Sequence, residues 1–202
     1  MNGKLFGAFV VSAVIFHPLT SLADVISEQL VQQGSPGNFA LGQSLITPAG
    51  GPWYGLTFNW FDTGGAPNPG FPNPIATGTL FLLNQEYLGT PTALSAATAG
   101  YIAQSQFIAN GVYVFAPSVT IQPNTTYFFY ANQTVLNNSG DGNVIPGSAY
   151  AGLGSGGAYI IAPEGADARF RLQGEVPEPH AGLIAIIVGA AAFARRRSRT
   201  LC

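Results

Sequence analysis

Glycine, proline and asparagine recur so often between residues 24 and 175 that little room is left for a helix of ordinary length. What lies between them is apolar runs with the period of a strand. In Tyr54-Gly-Leu-Thr-Phe-Asn-Trp60, Tyr54, Leu56, Phe58 and Trp60 share one face while Gly55, Thr57 and Asn59 share the other. Candidate strands fall near 37–46, 53–62, 75–87, 101–109, 112–116, 126–134, 157–162 and 168–173. Short strands at this spacing, separated by turn residues, predict an all-β fold, a β-sandwich or jelly roll. With 26 Gly and 15 Pro in the chain, frequent turns are expected as well.

Several local signals sharpen that picture. Asn110-Gly111 tolerates the positive φ of a type I′ turn, so 101–109 and 112–116 should form a hairpin. Tyr127-Phe-Phe-Tyr130 is apolar on both faces and reads as a central strand, entered from a turn at Gln122-Pro123-Asn124. Ala168-Arg-Phe-Arg-Leu172 alternates, which predicts both arginines facing water. Four prolines in 66–74 predict a long surface loop, and the Asn-, Ser- and Gly-rich stretch 134–156 reads as a second one.

The two ends of the chain have a different character. Met1 to Lys4 is a short cationic segment, Leu5 to Phe16 is apolar, and Ser21-Leu22-Ala23 supplies small residues, which together read as a secretory signal helix (1–23) cut by signal peptidase after Ala23. At the other end Val176, Pro177, Glu178 and Pro179 precede an apolar run, Ala181 to Ala194, and then Arg195, Arg196, Arg197 and Arg199. The prolines hold the chain extended before the helix. The arginines act as a membrane stop signal and keep the tail on the cytoplasmic side. A run of this length spans about 21 Å against a hydrocarbon core of about 30 Å, a gap that snorkelling arginines shorten. An interfacial or re-entrant helix is the alternative, although an amphipathic surface helix would need a polar face that this run lacks.

This order of box, membrane helix and arginine cluster (176–202) closely resembles the PEP-CTERM sorting signal of bacterial surface proteins. The resemblance implies a partner, an exosortase-type processing enzyme in the membrane that acts at or near Val176 to Pro179. It also implies an inner-membrane-anchored precursor destined for the cell surface or the extracellular space of a bacterium that makes exopolysaccharide. Between the signals lies one exported domain, 24–175. The order Gly42-Gln-Ser44, Gly55-Leu-Thr-Phe58, Gly78-Thr-Leu-Phe-Leu82, Gln122-Pro-Asn-Thr-Thr-Tyr127 and Asp167-Ala-Arg-Phe-Arg-Leu172 is similar to the choice-of-anchor β-sandwich domains of such proteins. That family brings no assigned chemistry.

Charge bounds the partners of the domain. Residues 24–175 hold eight acids, Asp24, Glu28, Asp62, Glu86, Asp141, Glu164, Asp167 and Glu175, against Arg169 and Arg171, a net charge of −6. Phosphate backbones need clustered cations, so nucleic acid is excluded as a partner. No His or Lys occurs in 24–175 and the one cysteine is Cys202, which removes Ser-His-Asp, Cys-His, Schiff-base and histidine-zinc chemistry from the domain.

What remains is weaker. Carboxylates at Asp62, Glu86, Asp141, Glu164 and Asp167 could supply the acid and base of a carbohydrate-active hydrolase, or serve as ordinary turn residues. Asn137, Asp141 and Asn143 are spaced as in a calcium loop without its closing Glu, and equally fit a plain Asn/Gly turn; no other cofactor is expected. Trp53 and Phe71, at a strand start and in the proline loop, are candidate stacking platforms for a sugar-binding module, with core packing as the competing role. The expectation is a non-catalytic, exported surface or matrix protein associated with exopolysaccharide.

Overall fold

A computed structural model describes residues 23–30, 32–61, 78–109, 111–140, 145–152, 156–162 and 167–176. Eleven strands lie among them: β1 (Asp24–Gln29), β2 (Gln32–Ile46), β3 (Tyr54–Trp60), β4 (Leu80–Leu83), β5 (Tyr101–Gln104), β6 (Gln106–Ala109), β7 (Val112–Val114), β8 (Thr126–Gly140), β9 (Ala149–Gly152), β10 (Tyr159–Ile161) and β11 (Phe170–Glu175). They form two antiparallel sheets. Sheet A has the order β1-β11-β3-β7-β6 and sheet B the order β10-β9-β2-β8-β4-β5. No helix among the described residues is long and apolar enough to cross a membrane. The expected signal helix and tail helix lie outside those residues.

The sheets face each other across one apolar core. Sheet A contributes Leu56, Phe58, Trp60, Phe170 and Leu172, and sheet B contributes Leu45, Leu80, Leu82 and Phe129. The Phe58 ring lies at the centre, stacked on Phe129 at 4.9 Å and on Phe170 at 5.4 Å, with Trp60 edge-on at 4.6 Å. The inward face of β3 is thus the one its alternation predicts. The hairpin is present too: β6 pairs with β7, and Gly111 takes φ +76° beside Asn110.

β8 is the central strand that its double-sided apolar sequence predicts, flanked by β2 and β4. Sheet B has a second apolar cluster, formed by Ala40, Phe81, Leu83, Leu94, Tyr130, Tyr150 and Tyr159. These side chains alternate with the core residues of the same strands, so they occupy the outer face. A strap of residues 84–100, containing a single 3-10 turn at Pro91–Ala93, covers that face. It leaves β4 at Asn84 and reaches β10, where the Tyr159 N–H donates to the Gly89 carbonyl (2.9 Å).

Several expectations are corrected. The strand expected over 101–109 divides at Ser105 into β5 on sheet B and β6 on sheet A. There the Ser105 N–H donates to the Leu80 carbonyl (2.9 Å) and the Leu80 N–H donates back to Ser105 Oγ (3.0 Å). The strand expected over 75–87 is shorter, Leu80–Leu83, because the chain peels away as the strap. The loop expected over 134–156 is strand through Gly140 and again at Ala149–Gly152. β1 carries a bulge between Val25 and Ser27, which breaks the period of two that would have revealed it. Arg171 does face outward and pairs with Glu28 at 2.7 Å. Arg169 instead is 8% exposed, and its Nε donates to the Leu30 carbonyl at 3.0 Å.

Candidate functional site

Trp53, a candidate sugar platform with core packing as the competing role, takes the core role: it is 3% exposed and belongs to the main core. Its backbone explains this. Trp53 and Ile121 exchange both N–H···O bonds at 3.0 Å, and this bridge draws the indole under the sandwich. Phe71 lies outside the described residues. Asn137 stands in β8 opposite Gly37 rather than in a loop, and Asp141 and Asn143 lie outside the described residues. Ala23 is exposed and immediately precedes β1, whose Asp24 pairs with Gly174 of β11. Val176 follows β11 and packs against the main core. Pro177, Glu178, Pro179, Arg195, Arg196, Arg197 and Arg199 fall outside the described residues.

Of the five candidate catalytic carboxylates, Glu86 and Asp167 are described, and sheet B separates them. Asp167 is 2% exposed and lies on the inner side, where its Oδ1 accepts from Gln43 Nε2 at 3.1 Å. Gln43 Oε1 in turn accepts from the Ala168 N–H at 2.9 Å, so one amide ties β2 to the start of β11. Asp167 Oδ2 and Trp60 Nε1 are buried with no hydrogen-bond partner among the described residues. Glu86 stands at the other side, in the strap over the outer face. The two therefore cannot share one substrate as acid and base.

The Gln43 bridge gives a direct prediction. Gln43→Leu leaves a buried carboxylate and a backbone N–H without their partner, which should cost about 2–3 kcal/mol. For a domain of this size that corresponds to a fall in Tm of about 6–10 °C. A melting curve within 2 °C or so of the parent would show that the bridge does not hold the sheets together.

Among the described residues, polar and aromatic groups converge on the outer face of sheet B. The Tyr150 hydroxyl donates to Glu86 Oε1 at 2.8 Å, the Tyr87 N–H donates to the Tyr130 hydroxyl at 3.1 Å, and the Tyr87 hydroxyl donates to the Thr90 carbonyl at 2.9 Å. Tyr159 donates to the Ala131 carbonyl. Around Tyr130 the rings of Tyr159, Tyr150 and Tyr87 lie at 4.8, 5.2 and 5.9 Å. Gly42 makes room for them, since a methyl group there would collide with the Tyr130 ring.

Burial pushes the phenols of Tyr130 and Tyr159 far above their usual range. It also raises Tyr150 to about 12, with the hydrogen bond to Glu86 adding to the effect. These tyrosines are therefore neutral hydrogen-bond donors at physiological pH. Glu86, exposed at the margin, is where the polar network meets solvent. Sequence reasoning missed this cluster because Tyr87 and Tyr150 lie in stretches that read as strand end and loop. A usable signal was present in β8: a strand apolar on both faces requires a cover on each.

No group of three or more His, Cys, Asp or Glu side chains that could hold a metal is found among the described residues. No family model matches the chain, no curated protein matches it, and no solved structure matches it.

Proposed function

We propose that this is an exported bacterial surface or matrix protein whose all-β domain is delivered by a C-terminal sorting tail, and whose own role is non-catalytic and associated with exopolysaccharide. The observation that carries the reading is the order at the end of the chain: Val176-Pro177-Glu178-Pro179, an apolar run from Ala181 to Ala194, then Arg195 to Arg199. In this reading the N-terminal signal directs export, the tail helix halts translocation with the arginines inside, and the proline box is offered in extended form to an exosortase-type enzyme.

The way the domain ends supports it. β11 runs to Glu175 and Val176 is held against the core, so the box begins where the last strand stops. Cleavage beyond Val176 would leave every strand of the sandwich whole. β1 likewise begins at Asp24, directly after the expected signal cleavage site at Ala23.

The test is processing in the native host. Replacing Pro177 and Glu178 by alanine should leave the full-length form in the membrane fraction on an immunoblot. Intact-mass measurement of the parent protein from the cell surface or medium should give a product starting at Asp24 and ending within Val176 to Pro179. Unchanged processing of the variant, or a surface product that retains Arg195 to Cys202, would overturn the proposal.

A further inference from the structure

Glu86 differs from the other described acids in its setting. It is exposed, yet one oxygen is fixed by the hydroxyl of Tyr150, a side chain that is itself buried. Half-buried Tyr87 is its chain neighbour, and half-buried Phe128 lies edge-on to Tyr150 at 6.2 Å. Leu88, 49% exposed, continues the apolar margin along the strap. The domain brings no cation here: its two arginines, Arg169 and Arg171, are engaged at Leu30 and Glu28 in sheet A.

A carboxylate oriented from below and open from above accepts from ligand N–H or O–H donors. Aromatic and aliphatic surface beside it suits the apolar face of a sugar ring, and half-exposed rings also attract an ammonium group. A net charge of −6 over 24–175 works against acidic polymers and in favour of cationic ones.

We infer that the margin of the strap, built from Glu86, Tyr150, Tyr87 and Phe128, is a binding site for an amino-sugar polysaccharide, with the Glu86 carboxylate receiving the sugar ammonium. The inference rests on the reading above that the domain meets exopolysaccharide, and it names the polymer class and the residues. Tyr150 positions the carboxylate, and the rings supply the stacking surface.

The test is titration of the full-length chain, in mild detergent, with three soluble probes: glucosamine oligomers, their N-acetylated counterparts and a uronic-acid oligomer. The parent should bind the glucosamine oligomers best, lose affinity as salt rises, and ignore the uronate. Glu86→Gln should weaken binding at least tenfold with an unchanged melting curve. Tyr150→Phe, which keeps the charge and removes its orientation, should weaken it several-fold. If Glu86→Gln disturbs folding, the Tyr150→Phe result decides.

Equal affinity of parent and variants, preference for the uronate, or no binding of glucosamine oligomers by the parent would each overturn the inference. Sorting on an immunoblot is read separately, so failure of this site and failure of the sorting reading cannot be confused.

Discussion

Phe58→Ala should remove about 4 kcal/mol of stability, the loss expected when a fully buried aromatic is truncated in a packed core. The Phe58 side chain is fully buried on β3, and three other rings, Trp60, Phe129 and Phe170, rest on it from both sheets. Truncation removes the transfer energy of a buried aromatic, the ring–ring terms, and the support of neighbours held by strands that cannot close the gap. Since a domain of this kind is stable by about 5–15 kcal/mol, the variant sits near the limit of folding. Urea titration should show the midpoint falling by about 2 M with the slope unchanged. Leu88→Ala, on the exposed margin, should stay within about 0.5 kcal/mol of the parent. A loss below about 1 kcal/mol for Phe58→Ala would mean that the two sheets do not meet at this ring.

The same residue shows what could be read without coordinates. The face of β3, the Asn110-Gly111 hairpin and the double-sided β8 rest on local periodicity and turn chemistry, and each stands where those rules place it. What local pattern leaves open or misplaces depends on partners distant in sequence. Trp53 is buried because Ile121 bridges to it, and Arg169 is buried because the Leu30 carbonyl receives it. Gln32 to Pro36 and Leu136 to Gly140 look like loop sequences when taken singly. They are strands because each supplies the other's ladder, which favours pairing of backbones over side-chain propensity.

The candidate site follows the same division. Glu86 was visible as an acid, but Tyr150, which orients it, comes from β9 and the rings packed beside Tyr150 from β8 and β10, and only the folded sheet brings them under the strap. No local pattern encodes that meeting. The alternation of Phe81 and Leu83 with Leu80 and Leu82 encodes only that something must cover the outer face.

Burial between the sheets and under that cover has a consequence at high pH. Tyr113, Tyr130, Tyr150 and Tyr159 are buried, and burial raises all four phenols above the ordinary value of 10.0. In the unfolded chain they would ionise near pH 10, whereas in the folded chain they keep their protons. The folded state therefore binds more protons above pH 10, and stability must fall as pH rises. Below pH 10 the contribution is fully present; from 10 to about 12, where Tyr150 would titrate in place, it is progressively lost.

Each phenol contributes about 1.4 kcal/mol per pH unit, so four together give a slope of about 5 kcal/mol per pH unit, enough to unfold the domain within one to three units. A pH titration should show a step in the tyrosinate absorbance that coincides with loss of β-sheet circular dichroism. Tyr159→Phe should reduce the slope by one proton. If all eight tyrosines instead ionised in one smooth curve near pH 10 with the sheet signal intact, the phenols would be in contact with water and the strap could not be a cover.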